Sequence, residues 1–203
     1  MYSNTPIIQT KQILDNMLAF NLADSQIRSE LLDWYEVITR QNYFQYNDKT
    51  TQTDGLAMGA PSSTIISEIF LQHIEHTHLP HLAQKHKLVT FFRYVDDVLL
   101  IYDSQHTYIH SLLHDFNSIH PNLQFTQEVE QNNTIIYLDI AIHKTPMNIK
   151  ISVYRKPTFT DTIIPYISNH PTQHKYAAVR FLYNRLKAYQ SHCRIPTWRK
   201  YYP

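Results

Sequence analysis

The sequence predicts an α+β fold, and two observations carry that prediction. Helix-like and strand-like stretches fall in separate blocks instead of alternating. Two short apolar runs, 88–94 and 98–102, flank an Asp96-Asp97 pair and read as a tight antiparallel hairpin. No run of 18 apolar residues occurs, so no membrane span is expected.

In chain order, residues 10–22 read as a helix, because Ile13, Leu14, Met17, Leu18 and Leu22 follow helical spacing. A second helix fits 26–41, capped by Asp24 or Ser25, with Ile27, Leu31, Trp34, Tyr35 and Ile38 on one face. The stretch 43–53 looks like a hairpin turning at Asn47-Asp48-Lys49. Gly55 to Pro61 is a loop that opens a third helix over 62–77, with Ile65, Ile66, Ile69, Phe70 and Ile74 expected inside. After the 88–102 hairpin come a helix near 106–118 and strands at 123–130, 134–143 and 149–155, with turns at Asn132-Asn133 and Pro146. A last helix near 173–189 carries Val179, Leu182, Tyr183 and Leu186 as an apolar stripe, flanked by Arg180, Asn184 and Lys187.

Composition narrows the class. Hydrophobic residues make up 43% of the 203 and charged residues 17%, a globular balance. The start of the chain has neither a basic region nor an apolar core, so no signal peptide is expected. Cys193 is the single cysteine, which excludes an internal disulfide and fits an intracellular setting. The net charge of +1 hides an asymmetry. Residues 1–149 hold 8 Lys+Arg against 16 Asp+Glu, for −8, whereas 150–203 hold 10 Lys+Arg and one Asp, for +9. A basic tail on an acidic body suggests nucleic acid, although a solvated basic surface has the same composition. Both glycines, Gly55 and Gly59, lie four residues apart, where an average chain of this length would scatter roughly 7% along its length. Open backbone is needed at that spot.

The chemistry concentrates at Tyr94-Val95-Asp96-Asp97. Two adjacent carboxylates repel, at a cost of order 1 kcal/mol in water and more when desolvated. A divalent cation reverses the sign of that term, and oxygen-only ligands favour Mg²⁺ or Mn²⁺. An Asp pair is also ordinary turn chemistry; what argues for a metal is the apolar strand on either side, which holds the corner rigidly. A two-metal site needs a carboxylate from a second segment as well. His73, His76, His78 and His81 are dense enough to suggest zinc, but they match no zinc-protease spacing.

Several of these segments together resemble the reverse transcriptases of Penelope-like retroelements, a branch allied to telomerase. Tyr94-Val95-Asp96-Asp97 looks like motif C, YxDD. Gly55-Leu56-Ala57-Met58-Gly59-Ala60-Pro61-Ser62-Ser63 resembles motif B in its GxAMGSPLSP form, and Tyr137-Leu138-Asp139-Ile140 is similar to the FLD segment. His120-Pro121-Asn122-Leu123-Gln124-Phe125-Thr126 resembles HPN-x-x-FT. Val153-Tyr154-Arg155-Lys156-Pro157-Thr158, with Thr160-Asp161, Ser168-Asn169-His170-Pro171 and His174-Lys175, resembles the VYRKPT-x-TD and SxHP-x-x-HK signature. The match in order and spacing runs to about residue 190. Ala60 departs from the usual serine, and Thr64 stands where a proline is usual.

The resemblance implies a fold and a set of roles. Residues 1–149 would be a polymerase palm, an antiparallel sheet with the YVDD hairpin packed by helices; 150–203 would be a small basic connection or thumb-like helical region. The activity implied is RNA-directed DNA polymerisation on an RNA template and DNA primer with dNTPs, in an intracellular, nuclear setting, with two Mg²⁺ (or Mn²⁺) in the intact enzyme. Asp96 and Asp97 would be the catalytic metal ligands. Tyr2 would screen the sugar 2′ position. Gly55, Met58, Gly59, Pro61 and Tyr94 would face template and primer, and Arg155, Lys156, Lys175, Arg180 and Lys187 would contact phosphates. Tyr2 to Pro6 resembles the segment that directly follows motif A, so the motif A aspartate is expected just before Met1 and the chain alone is expected not to polymerise. No Lys or Arg lies between Arg93 and Lys144, so His110, His114 and His120 are the candidates for a general acid. The alternative reading is a non-catalytic nucleic-acid-binding remnant that uses 150–203 and no metal.

Overall fold

The computed structural model of the chain describes residues 2–22, 24–41, 55–158, 160 and 162–191, with the side chains at 185–186 and 188–191 outside it. The hairpin expected at 43–53, Asp161 and the Leu186 side chain lie outside the described residues. Within them the fold is mixed α+β, with five α-helices, a short 3₁₀ helix at Tyr2–Asn4 and two small antiparallel sheets. The helices are α1 (Ile7–Asn21), α2 (Ser25–Arg40), α3 (Pro61–Lys85), α4 (Ile109–Asn117) and α5 (Thr172–Ser191). One sheet is the pair β1 (Leu88–Tyr94) and β2 (Asp97–Tyr102). The other is β3 (Thr134–Tyr137), β4 (Ile140–Lys144) and β5 (Ile149–Val153), paired in that order. The chain divides into two compact units, Met1–Tyr154 and Arg155–Pro203, so β5 belongs to the first.

α3 is the spine of the first unit. Pro61 opens it at a position where its missing N–H costs nothing. The helix then runs past the predicted end at 77, through Pro80, to Lys85. Packing explains the extension: Leu79 and Leu82 are buried against Leu112 and Phe116 of α4, with Leu88, Phe91 and Leu100 closing over them. Further up the same helix, Phe70, Leu71 and Ile74 pack on Ile13 of α1. Nearest its start, Ile66 packs with Tyr35 of α2 and Leu56, and Tyr2, Ile7 and Leu14 lie alongside. Each fully buried side chain of this size contributes roughly 1.5–3 kcal/mol over leaving it in water. Ile65, expected inside, is 65% exposed, because the buried line runs through Ser63, Ile66, Ser67 and Phe70.

The first two helices begin as their sequence dictates. α1 starts at Ile7, earlier than residue 10. In α2, Asp24 is the cap, and its Oδ1 accepts from the Gln26 and Ile27 amides at 2.8 and 3.3 Å. Of the apolar face predicted on α2, Tyr35 is buried, whereas Ile27, Leu31, Trp34 and Ile38 are exposed. The Tyr35 hydroxyl donates to the Ile7 carbonyl at 2.9 Å, and burial pushes its pKa up to about 12.

Two predicted strands differ from the structure. Residues 123–130 form no strand. Leu123 and Phe125 tuck into the core, and the Asn117 side chain satisfies Phe125 on both sides: it accepts from the Phe125 amide at 2.6 Å and donates to the Phe125 carbonyl at 3.2 Å. A side chain thus takes the place of a partner strand. The run 134–143 is two strands, because Leu138 turns with φ +56 and Tyr137 pairs with Ile140. At the predicted Asn132-Asn133 turn both residues have positive φ, as a tight hairpin turn requires. α4 starts at 109 rather than 106, since Asp103 first folds residues 103–107 into a turn by accepting from the Gln105, His106 and Thr107 amides.

The end of α3 is pinned to α4 by a polar cluster. Asp115 accepts from Lys85 Nζ at 2.5 Å and from the buried His86 Nε2 at 2.6 Å, while Thr107 donates to the His86 carbonyl. Hydrogen bonds from Lys85, then from His86, hold the Asp115 carboxyl below its ordinary pKa. A carboxylate with a depressed folded pKa adds stability above its unfolded pKa and loses it as pH falls through the folded one. Asp115→Asn is therefore expected to cost about 1–3 kcal/mol at neutral pH, the scale of a buried donor left without its partner. It should also flatten the acid limb of the stability profile. Urea midpoints of both proteins from pH 7 down to pH 2 check this; parallel acid limbs would refute it.

Candidate active site

The β1–β2 hairpin presents Asp96 and Asp97 at its tip. Tyr94 pairs with Asp97, so Val95 and Asp96 are the two turn residues, and both aspartates are exposed. Val95 adopts φ +57. A β-branched residue avoids that region, and such positions cost of order 1–3 kcal/mol unless the surroundings enforce them.

The enforcement is visible. Arg93, at the end of β1, has a side chain only 11% exposed. Its Nη1 donates to the Val95 carbonyl at 3.1 Å. Its Nη1 and Nη2 form a fork on Glu68 of α3, at 2.9 and 2.7 Å, and its Nε donates to Glu75 two turns further on. Burial by itself disfavours the guanidinium's charge, but the bonds to Glu68 and Glu75 outweigh it and hold the pKa above its ordinary value. The bond from Arg93 likewise holds the Glu68 carboxyl below its usual range. The hairpin is thereby keyed to α3 through a guanidinium.

The second sheet supports the same corner. The Tyr137 hydroxyl, beside the β3–β4 turn, donates to the Asp97 carbonyl at 3.2 Å. Burial, then the Asp97 carboxylate, raises its pKa, so it remains a donor at neutral pH. Neither Arg93 nor Tyr137 figured among the expected site residues. The signal for Arg93 was present: Glu68 and Glu75 are the only acids in α3 and lie seven apart, on one face, opposite a lone charge in an apolar strand.

The glycine loop is joined to the start of the chain. Leu56 N donates to the Tyr2 carbonyl at 2.8 Å, and the Tyr2 and Thr64 hydroxyls lie 3.3 Å apart. Gly55 has φ +82, and a Cβ there would lie 2.2 Å from the Ser3 carbonyl oxygen, so the chain's own packing demands glycine. Gly59 has φ +91 with open space around it. Ser63, buried at the start of α3, donates to the Ala57 carbonyl at 2.7 Å and closes the loop. Met58, Gly59, Pro61 and Tyr94 are exposed.

The expected general acids divide. His110 and His114 are exposed. His120 is a structural tie instead: its Nδ1 accepts from the Asn122 amide at 3.1 Å, which leaves Nε2 to donate to Gln9 Oε1 at 2.9 Å. Burial, with a smaller contribution from His78, lowers its pKa and favours that neutral form. Among the described residues no group of three or more His, Cys, Asp or Glu side chains is arranged to hold a metal ion, the α3 histidines included. Asp96 and Asp97 have the oxygen donors that Mg²⁺ prefers, and they form part of a cage at most.

In the second unit, Arg155, Lys156 and Arg180 are exposed. Lys175 donates to the Tyr166 carbonyl at 2.7 Å and lies 5.4 Å from that ring, and Lys187 lies 4.5 Å over the Tyr183 ring. Val179, Phe181, Leu182 and Tyr183 are more than half exposed, so α5 presents apolar and aromatic side chains alongside its cations. No described helix is long and apolar enough to cross a membrane.

The two glycines should respond differently to alanine. Gly59→Ala meets only backbone strain, about 1–2 kcal/mol. Gly55→Ala adds a clash with main chain that no side-chain movement relieves, and should cost well above that. Urea unfolding of the two variants decides the point, and equal losses would count against the Gly55–Ser3 contact. No protein-family model matches the chain, nor does any curated protein or solved structure, which leaves the residues and their geometry to carry the functional reading.

Proposed function

We propose that the chain is part of an RNA-directed DNA polymerase of the Penelope-like kind, and that Asp96 and Asp97 are its metal ligands. One observation carries the reading: two exposed aspartates at the tip of a strained hairpin, held by Arg93 to the helix that the glycine loop opens. A turn that served only to reverse the chain would have no need of a valine at φ +57 held by a largely buried guanidinium.

The chain's own residues would divide the work. Asp96 and Asp97 would bind Mg²⁺ or Mn²⁺ through carboxylate oxygens. The bound ions would supply the charge that activates a primer 3′-hydroxyl and stabilises the departing pyrophosphate. Tyr2, tied to the Gly55–Leu56 backbone, would limit space at the sugar of the incoming dNTP. Met58, Gly59, Pro61 and Tyr94, all exposed, would bear on the template–primer pair. Arg155, Lys156, Arg180, Lys175 and Lys187 would meet phosphates without reading sequence, and α5 aromatics would add stacking surface. Two carboxylates do not complete a two-metal cage, so the 203-residue chain by itself is expected to show no primer extension.

The second reading, a nucleic-acid-binding remnant that uses no metal, is favoured by the lack of a third donor among the described residues. Affinity cleavage separates the two. With Fe²⁺ in place of Mg²⁺ and a recessed RNA–DNA hybrid, hydroxyl radicals generated at the corner should cut near the primer 3′ end. Asp96→Asn should abolish those cuts while leaving salt-dependent binding of the hybrid intact. Binding without localised cuts would select the second reading, and primer extension by the chain alone would contradict the incomplete cage.

A further inference from the structure

The Asp96–Asp97 pair is gripped at both ends by groups outside the proposed ligand set. Arg93 Nη1 holds the Val95 carbonyl, immediately before Asp96, at 3.1 Å. The Tyr137 hydroxyl holds the carbonyl of Asp97, immediately after the pair, at 3.2 Å. The grips come from different quarters of the first unit: Arg93 is anchored to α3 through Glu68 and Glu75, and Tyr137 stands at the β3–β4 turn. We infer that Tyr137, together with Arg93, is a positioning residue that fixes the orientation of the Asp96 and Asp97 carboxylates for divalent cation binding. The inference rests on the metal reading above.

The geometry favours this over general structural support. A two-residue turn has no partner strand beyond it, and with Val95 at φ +57 its backbone would relax if released. Relaxation would rotate the Val95–Asp96 peptide and swing the two carboxylates. Fastening the carbonyl on each side of the pair opposes that rotation directly. The Tyr137 hydroxyl makes its bond at an exposed tip, where it adds little to global stability yet fixes a direction. Its phenol is a rigid arm with few torsions to lose. Arg93 holds three partners at once because the guanidinium donates from all three nitrogens in one plane, a pattern an ammonium cannot copy.

The test is Mn²⁺ titration of the 203-residue chain, followed by the electron paramagnetic resonance of free Mn²⁺, with amide hydrogen exchange read in parallel. Tyr137→Phe should raise the Mn²⁺ Kd about tenfold, the lower end of what lost support behind metal ligands costs. It should also speed exchange at residues 94–98, leaving α1, α3 and the urea midpoint unchanged. Arg93→Lys, checked for folding by its urea midpoint, should reproduce both effects. Asp96→Asn serves as the control on the metal reading. If it leaves Mn²⁺ binding unchanged, that reading fails and the positioning role goes with it. If it weakens binding while Tyr137→Phe changes neither Kd nor exchange at 94–98, the metal reading stands and the positioning role is wrong. A Tyr137→Phe chain whose global stability falls along with its affinity also overturns the proposal, because the hydroxyl would then be a general support.

Discussion

The corner that carries the candidate chemistry depends on one largely buried guanidinium. Arg93, at the end of β1, joins the carbonyl of the strained Val95 two residues on to two turns of α3, which lie far from it in sequence. Each alone would be unfavourable. A buried cation without partners is costly, two glutamates on one helix face repel, and a valine at positive φ is strained. Brought together, the fork of N–H donors offsets the repulsion between the glutamates, and the glutamates hold the fork where it can reach the turn. The arrangement fixes the tip in space without placing any bulk beside Asp96 and Asp97, which remain exposed.

α3 extends this control in the other direction. The helix that anchors Arg93 through Glu68 and Glu75 is the one whose first turn closes the glycine loop through Ser63, and that loop is hydrogen-bonded to Tyr2. Its buried line is continuous from Ser63 through Ile66, Phe70, Leu71 and Ile74 to Leu82. The tip, the loop and the 3₁₀ helix at the start are therefore parts of one rigid frame, and a shift of α3 would move all three together. A site that must hold ions, a sugar and a base pair in fixed relation needs that kind of common support.

Much of this was legible in the residues, and the parts that were not have identifiable causes. The 88–102 hairpin could be read because apolar runs of strand length flank a turn-forming pair. α3 was read short, because Pro80 signals an end that Leu79 and Leu82 override by packing. The strand expected at 123–130 failed because sequence pattern reports a segment's preference and not its partner; Asn117 supplies both hydrogen bonds from a side chain. The turn at Leu138 was hidden, since a leucine at positive φ has no local signature, and the same holds for Val95. Arg93 is hard to read for a different reason. A single charge in a strand reads as its solvent face, and only the seven-residue spacing of Glu68 and Glu75 argued otherwise. Gly55 and Gly59 were both recognised as special, but they had been given one reason; Gly55 answers to Ser3, and Gly59 to its own φ.

The charge division along the chain bears on how such a corner would work. The acidic first part of the chain repels phosphates, and on the proposed reading Asp96 and Asp97 would add to that repulsion where a duplex comes closest. In open water the two carboxylates cost each other only about 1 kcal/mol, so the solvated pair is tolerable. Covering it with nucleic acid removes water, strengthens the repulsion and adds phosphate charge of the same sign. A divalent cation cancels all of these terms together. On the proposed reading, cation and nucleic acid should therefore each raise the affinity for the other, as linkage requires of two ligands that share one electrostatic field. On the same reading the basic tail would add to duplex binding through phosphates, while the repulsion between the two adjacent carboxylates would still call for a cation held against them.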